Sequence, residues 1–201
     1  MTKPPPVLRS LLNDNTLDLY QTSFFIGPSE AVRDFDIGYS LCTTSRSYYQ
    51  VTPLHYDPYM NCFSLQAASD PTRFAKHLFA KHFFLLPPST SSIVRPPLDS
   101  RSSHVQRNTS HLDFYLQNSH AAPVSSSTAL DRVYVDGLTD ADAEKLSRIA
   151  MSCVLKEGDT LFIPRGWWHR VENVDMSWHH GSPEGLCGGW TAGVAWWFLF
   201  R

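Results

Sequence analysis

The segment Thr-Pro-Leu-His-Tyr-Asp, residues 52–57, sets an imidazole and a carboxylate two positions apart in a stretch of extended character. Side chains at i and i+2 leave a strand on the same face, so His55 and Asp57 can converge on one ion while Tyr56 points away. A tight site needs a third ligand. The best placed is His169, in EGDTLFIPRGWWHRVEN (157–173). There Gly158-Asp159 makes a turn, Thr160–Ile163 reads as a strand, Pro164-Arg165-Gly166 turns again, and His169 opens the next strand. Two imidazoles and one carboxylate leave coordination positions open, a donor set that suits redox-active Fe(II). Zinc accepts the same donors, so metal-dependent hydrolysis or isomerisation stands beside oxidation at this point.

These residues have to be carried by strands, and the pattern supplies them. Short apolar runs occur at Asn61–Gln66, His82–Leu86, Met151–Leu155, Thr160–Ile163, His169–Asn173 and Gly193–Phe200. Each is of strand length and most are bounded by Pro, Gly or Asp. Helices are few. A Pro-started short helix is expected around Val7–Leu12, and Asp70-Pro71 can cap a short helix to about Phe79. Thr139-Asp140-Ala141-Asp142 starts a helix to about Ile149, its acidic first turn matching the helix dipole. Residues 88–130, rich in Ser, Pro, Asn and His, read as a long irregular excursion, of the kind that is usually functional or disordered. Many short strands with few helices predict a mainly β protein, a sandwich or barrel of jelly-roll type. We expect one structural domain: an N-terminal lead-in segment (1–47) and a catalytic unit (48–201).

Composition narrows the function. At 201 residues, 42% of them hydrophobic, the chain can bury a substantial core. Its 17 basic and 19 acidic residues give a net charge of −2, which argues against a phosphate-backbone partner. No apolar run approaches the ~20 residues of a membrane span, and MTKPPPVLRSLLNDN has no apolar signal region. The four cysteines are scattered without a CxxC pair, as expected of reduced thiols. Together these predict an intracellular protein of nucleus and/or cytoplasm, with no membrane partner.

Four blocks, VTPLHYDPYMN (51–61), LFAKHFFLLPP (78–88), EGDTLFIPRGWWHRVEN (157–173) and GVAWWF (193–198), resemble the Jumonji-C family of iron- and 2-oxoglutarate-dependent oxygenases. The resemblance is strongest to the small cupin-like subgroup that includes lysine-specific demethylase 8 and related protein hydroxylases, and it covers roughly residues 48–200. It implies a double-stranded β-helix (cupin/jelly-roll) in which His55, Asp57 and His169 are the catalytic iron ligands. It further implies that Thr52 and Lys81 hold the distal carboxylate of 2-oxoglutarate, and that Asn61 belongs to the cofactor pocket. The implied activity is hydroxylation or N-demethylation of a side chain in a protein or peptide substrate. The alternative is a catalytically inactive cupin-fold binding module.

A second His-x-Asp, His111–Asp113, lacks the hydroxyl, Asn and Lys partners at matching positions and reads as a decoy. The chain departs from the family pattern in four places, the first being SLCTTSRSYYQ (40–50), which lacks the usual aromatic and Gly-Pro pattern. An apparent insertion between Asn61 and Lys81 makes Lys76 a rival for the carboxylate role. Residues 177–193 are longer than the usual passage into the last strand, with His179 and His180 read as loop residues. The helical region at the N-terminus is short.

Overall fold

The computed structural model describes residues 4–14, 16–28, 51–69, 79–96, 108–112, 114–116, 133–135, 138–175 and 190–201. Ten strands follow in chain order: β1 (Leu17–Pro28), β2 (Val51–Tyr56), β3 (Met60–Ser69), β4 (Phe79–Leu86), β5 (Phe114–Leu116), β6 (Val133–Val135), β7 (Met151–Leu155), β8 (Thr160–Ile163), β9 (Trp168–Asp175) and β10 (Trp190–Phe200). Three helices accompany them, α1 (Pro6–Asn13), α2 (Ser91–Val94) and α3 (Asp140–Ile149).

The strands form two four-stranded sheets, ordered β1-β10-β3-β8 and β2-β9-β4-β7, with β5 and β6 as a separate hairpin. All pairings are antiparallel. Each strand pairs with its mirror in chain order: β1 with β10, β2 with β9, β3 with β8, β4 with β7, β5 with β6. This is the expected mainly β, double-stranded β-helix, and all six apolar runs lie in strands.

Alternation along the central strands divides their residues between two buried layers. On β4, Phe83 and Leu85 face inward and meet Phe63, Leu65, Leu155, Ile163 and Ala195 between the sheets. Phe84 and Leu86 face outward and are covered by Val94 of α2, Leu112 and Leu146 of α3. Burial on both faces is why this strand reads as a continuous apolar run. The outer face of the first sheet packs Val194, Trp196 and Phe198 against Leu8 of α1. Each large side chain so removed from water contributes about 1.5–3 kcal/mol. Helix α3 begins where its acids predict: the Thr139 hydroxyl accepts from the Asp142 amide at 3.2 Å, with Asp140 and Asp142 in the first turn.

Strand β1 is an element the sequence reading did not place. Its alternation is blurred by a register shift at Tyr20, and Leu19, Phe24 and Ile26 are exposed on this edge strand. The long excursion also returns to the fold. Asn108 and Ser110 exchange backbone hydrogen bonds with Tyr56 and Leu54, and Thr109 bridges His55. The helix expected from Asp70 to about Phe79 falls on residues outside the described ones, save that Phe79 opens β4. Among the described residues no helix is long and apolar enough to cross a membrane.

Candidate metal centre

His55 lies near the end of β2 and faces His169 of β9 directly across the ladder. Pro53, which has no amide proton to give a neighbour, sits where the β2–β9 register shifts. Its freed carbonyl takes the Nδ1 proton of His55 at 2.9 Å. The Trp167 carbonyl faces Nδ1 of His169 in the same way at 3.1 Å. A carbonyl only accepts, so each ring carries its proton on Nδ1 and leaves the Nε2 lone pair for an ion.

Asp57 follows β2 and is anchored by its main chain. The turn between β8 and β9 places Gly166 at φ +77°, and its amide donates to the Asp57 carbonyl at 3.1 Å. The Asp57 carboxylate lies 3.9 Å from His55 Nε2 and 3.7 Å from His169 Nε2. Two ligands of one ion at ~2.1 Å are at most about 4.2 Å apart, so these spacings suit shared coordination. His55, Asp57 and His169 thus form a group that could hold a metal ion, their ligand atoms all within 4.8 Å. Burial, and then the neighbouring His55, lower the His169 pKa to about 4, so this imidazole is neutral and ready to ligate at physiological pH. Tyr56 points away and packs edge-on against Trp168, ring centroids 4.9 Å apart.

His55, Asp57 and His169 open onto a cavity of about 110 Å³ that Thr52, Asn61 and Lys81 also line. This is well below the ~300–1,000 Å³ of drug-sized pockets and suits a small acid. Its walls are largely aromatic: Phe25, Phe63, Phe83 and Trp197. Lys81, on the inner face of β4, is buried at 4% exposure. Its ammonium donates to Asn173 Oδ1 at 2.7 Å, an oxygen that also accepts from Thr191. Burial lowers its pKa from the ordinary 10.5 to about 8. The Asn61 amide nitrogen donates to Asp57 at 3.2 Å, while its buried Oδ1 has no partner among the described residues.

The structure therefore brings six sequence-predicted residues, Thr52, His55, Asp57, Asn61, Lys81 and His169, to one cavity. Lys76, Asp113, His179 and His180 lie outside the described residues. His111 is exposed and its Nδ1 faces the Val94 carbonyl.

Trp197, Phe25, Asn173 and Thr191 were not singled out from the sequence. Asn173 had a signal: His169, Val171 and Asn173 keep the period of two that points a strand inward. The alternate residues of β9 point outward, where Arg170 and Glu172 form a buried ion pair at 2.5 Å with His82 beside it at 3.1 Å. Trp197 donates through Nε1 to Asp57 at 2.7 Å from the opposite sheet.

Residues 80–199, more than half of the chain, match a family described as Cupin-like domain. The matched span contains Lys81 and His169 and begins after His55 and Asp57. The lysine-specific demethylase JMJ30 of Arabidopsis thaliana is 26% identical over 128 residues, 63% of this chain and 21% of that protein. The chain thus spans about a fifth of the length of that relative.

Proposed function

This chain belongs to the cupin-like domain family, and on that premise we propose that it is an Fe(II)- and 2-oxoglutarate-dependent oxygenase acting on a protein side chain by hydroxylation or N-demethylation. The observation that carries the reading is one cavity with two complementary features. A His/His/Asp donor set lies in it together with a buried ammonium, Lys81, that no carboxylate among the described residues neutralises. A hydrolase built on the same ligands has no use for such a cation. A small dicarboxylic acid chelating the metal at one end does, because its far carboxylate forms a charge-assisted hydrogen bond with the ammonium.

In this reading His55 and His169 hold iron through Nε2 and Asp57 holds it through a carboxylate oxygen. Thr52 and Lys81 take the distal carboxylate, and Asn61 closes the pocket beside Asp57. When bound, iron and 2-oxoglutarate supply the activation of dioxygen. Phe25, Phe63, Phe83 and Trp197 wall the cavity, limiting water access and strengthening the electrostatic contacts inside. The intact donor set weighs against an inactive binding module. The catalytic unit in this proposal is residues 48–201, with Phe25 contributed from the lead-in segment. A lysine demethylase among its relatives makes a lysine side chain one candidate substrate. The proposed setting is intracellular, nucleus and/or cytoplasm, with a protein or peptide partner.

The test is conversion of 2-oxoglutarate to succinate with Fe(II), with and without candidate peptides. Slow succinate formation without peptide is expected, abolished in Asp57→Ala and at least tenfold lower in Lys81→Ala. No succinate above the Asp57→Ala level, together with no 2-oxoglutarate binding in the presence of Mn(II), ends the oxygenase reading.

A further inference from the structure

Asp57 is held asymmetrically. Two donors converge on one of its oxygens: Trp197 Nε1 reaches Oδ2 at 2.7 Å and Asn61 Nδ2 reaches the same atom at 3.2 Å. Both come from the first sheet, where Trp197 of β10 and Asn61 of β3 are register partners. The carboxylate itself follows β2 of the second sheet. A carboxylate oxygen has two lone-pair directions in its plane, enough to accept both of these donors at Oδ2. Among the described residues no hydrogen bond is donated to Oδ1, which lies 3.9 Å from His55 Nε2, while the doubly bonded Oδ2 lies 3.7 Å from His169 Nε2.

We propose that Trp197 and Asn61 are positioning residues that commit Asp57 to one-oxygen coordination through Oδ1. The proposal rests on the metal reading above and deepens it. A carboxylate free to rotate can chelate an ion with both oxygens and fill a coordination position that a co-substrate needs. With Oδ2 engaged from the opposite sheet, that mode is closed and the position stays open. The same contact makes ligand geometry depend on how the two sheets are stacked, because donors and acceptor sit on different ones. Asn61 therefore acts on the metal through Asp57, in addition to lining the cavity. Its unpartnered Oδ1, fixed as an acceptor because Nδ2 is spent on Asp57, faces a buried environment that only a hydrogen-bond donor satisfies.

The test replaces Trp197 by benzothienylalanine, which keeps the bicyclic ring and removes only the N–H, with Trp197→Phe as a second variant. Mn(II) affinity is read by electron paramagnetic resonance and ligand geometry by the visible bands of the Co(II) form, neither of which requires turnover. Loss of an outer hydrogen bond to a ligand typically weakens metal binding 10–100-fold, and that loss is expected in both variants. The Co(II) bands of the variants should also weaken as the carboxylate becomes bidentate and the coordination number rises. A merely structural tryptophan would leave the Co(II) spectrum of the isosteric variant unchanged. Parent-like affinity and spectrum in the benzothienyl protein overturn the positioning role while leaving the metal site standing. Failure of the parent protein to bind either ion overturns the metal reading itself.

Discussion

Lys81 is the residue whose cost and use are most directly separable. Below pH 8 the folded protein carries a buried ammonium that the unfolded chain would solvate. Its folded value of about 8 lies below the ordinary 10.5, so the folded state releases this proton first. Stability attributable to Lys81 therefore rises as pH goes from 8 to 10.5. Buried Cys62, pushed up to about 11, works the other way above pH 9, so the comparison must be between variants rather than along one curve. Lys81→Met is expected to be more stable than the parent at pH 7 by roughly 1–3 kcal/mol, with the gap closing near pH 10. The same variant should bind 2-oxoglutarate at least tenfold more weakly in the presence of Mn(II). Urea melts at the two pH values check the first effect and titration calorimetry the second. A stability gap that is the same at pH 7 and pH 10 would reject the buried-charge account. The ligands were legible as residues because imidazole, carboxylate and strand period are all local signals. Trp197 was not, since what its indole touches is decided by the opposite sheet.

At the level of elements, the close approach of β10 to the inner layer is set by one missing side chain. A Cβ on Gly193 would lie 2.2 Å from the tip of the Phe63 ring, which is itself buried and lines the cavity. Gly193→Ala should therefore cost about 1–3 kcal/mol through overpacking. It should also weaken ligand binding, as Phe63 is displaced within the cavity. A urea midpoint equal to the parent's would show that the ring can move freely. Why some elements could be read from the sequence and others not follows from the same packing. Runs such as FFLL in β4 are buried on both faces and bounded by Pro, so chain chemistry alone marks them. Strand β1 has one exposed face, a shift at Tyr20 and a single partner at the opposite end of the chain, and its pattern carries no clean period. The bridge of Thr109 to His55 is also beyond local reading, because it joins β2 to a segment more than fifty residues away.

For the whole molecule, the mirror pairing of strands has a consequence in time. The innermost pairs, β5 with β6 and β4 with β7, join segments nearest in sequence, while β2 with β9 and β1 with β10 span most of the chain. Loop-closure entropy makes the inner pairs the less costly to form first, and long-range pairing slows folding. His55 and Asp57 meet His169 only when β2 docks on β9, a late closure in this order. A metal ion then has no complete site to bind until most of the barrier has been crossed. Ligation should stabilise the native state by about 2.7 kcal/mol at a metal concentration 100 times the dissociation constant. Nearly all of that is expected to slow unfolding, because interactions absent from the transition state act on the unfolding rate. Stopped-flow chevrons with and without Mn(II) would display a shifted unfolding arm over an unchanged refolding arm. Faster refolding with metal would mean instead that the two ligand strands meet early. If the unfolding arm shifts alone, metal occupancy governs how long a molecule lasts once folded and not how often folding succeeds.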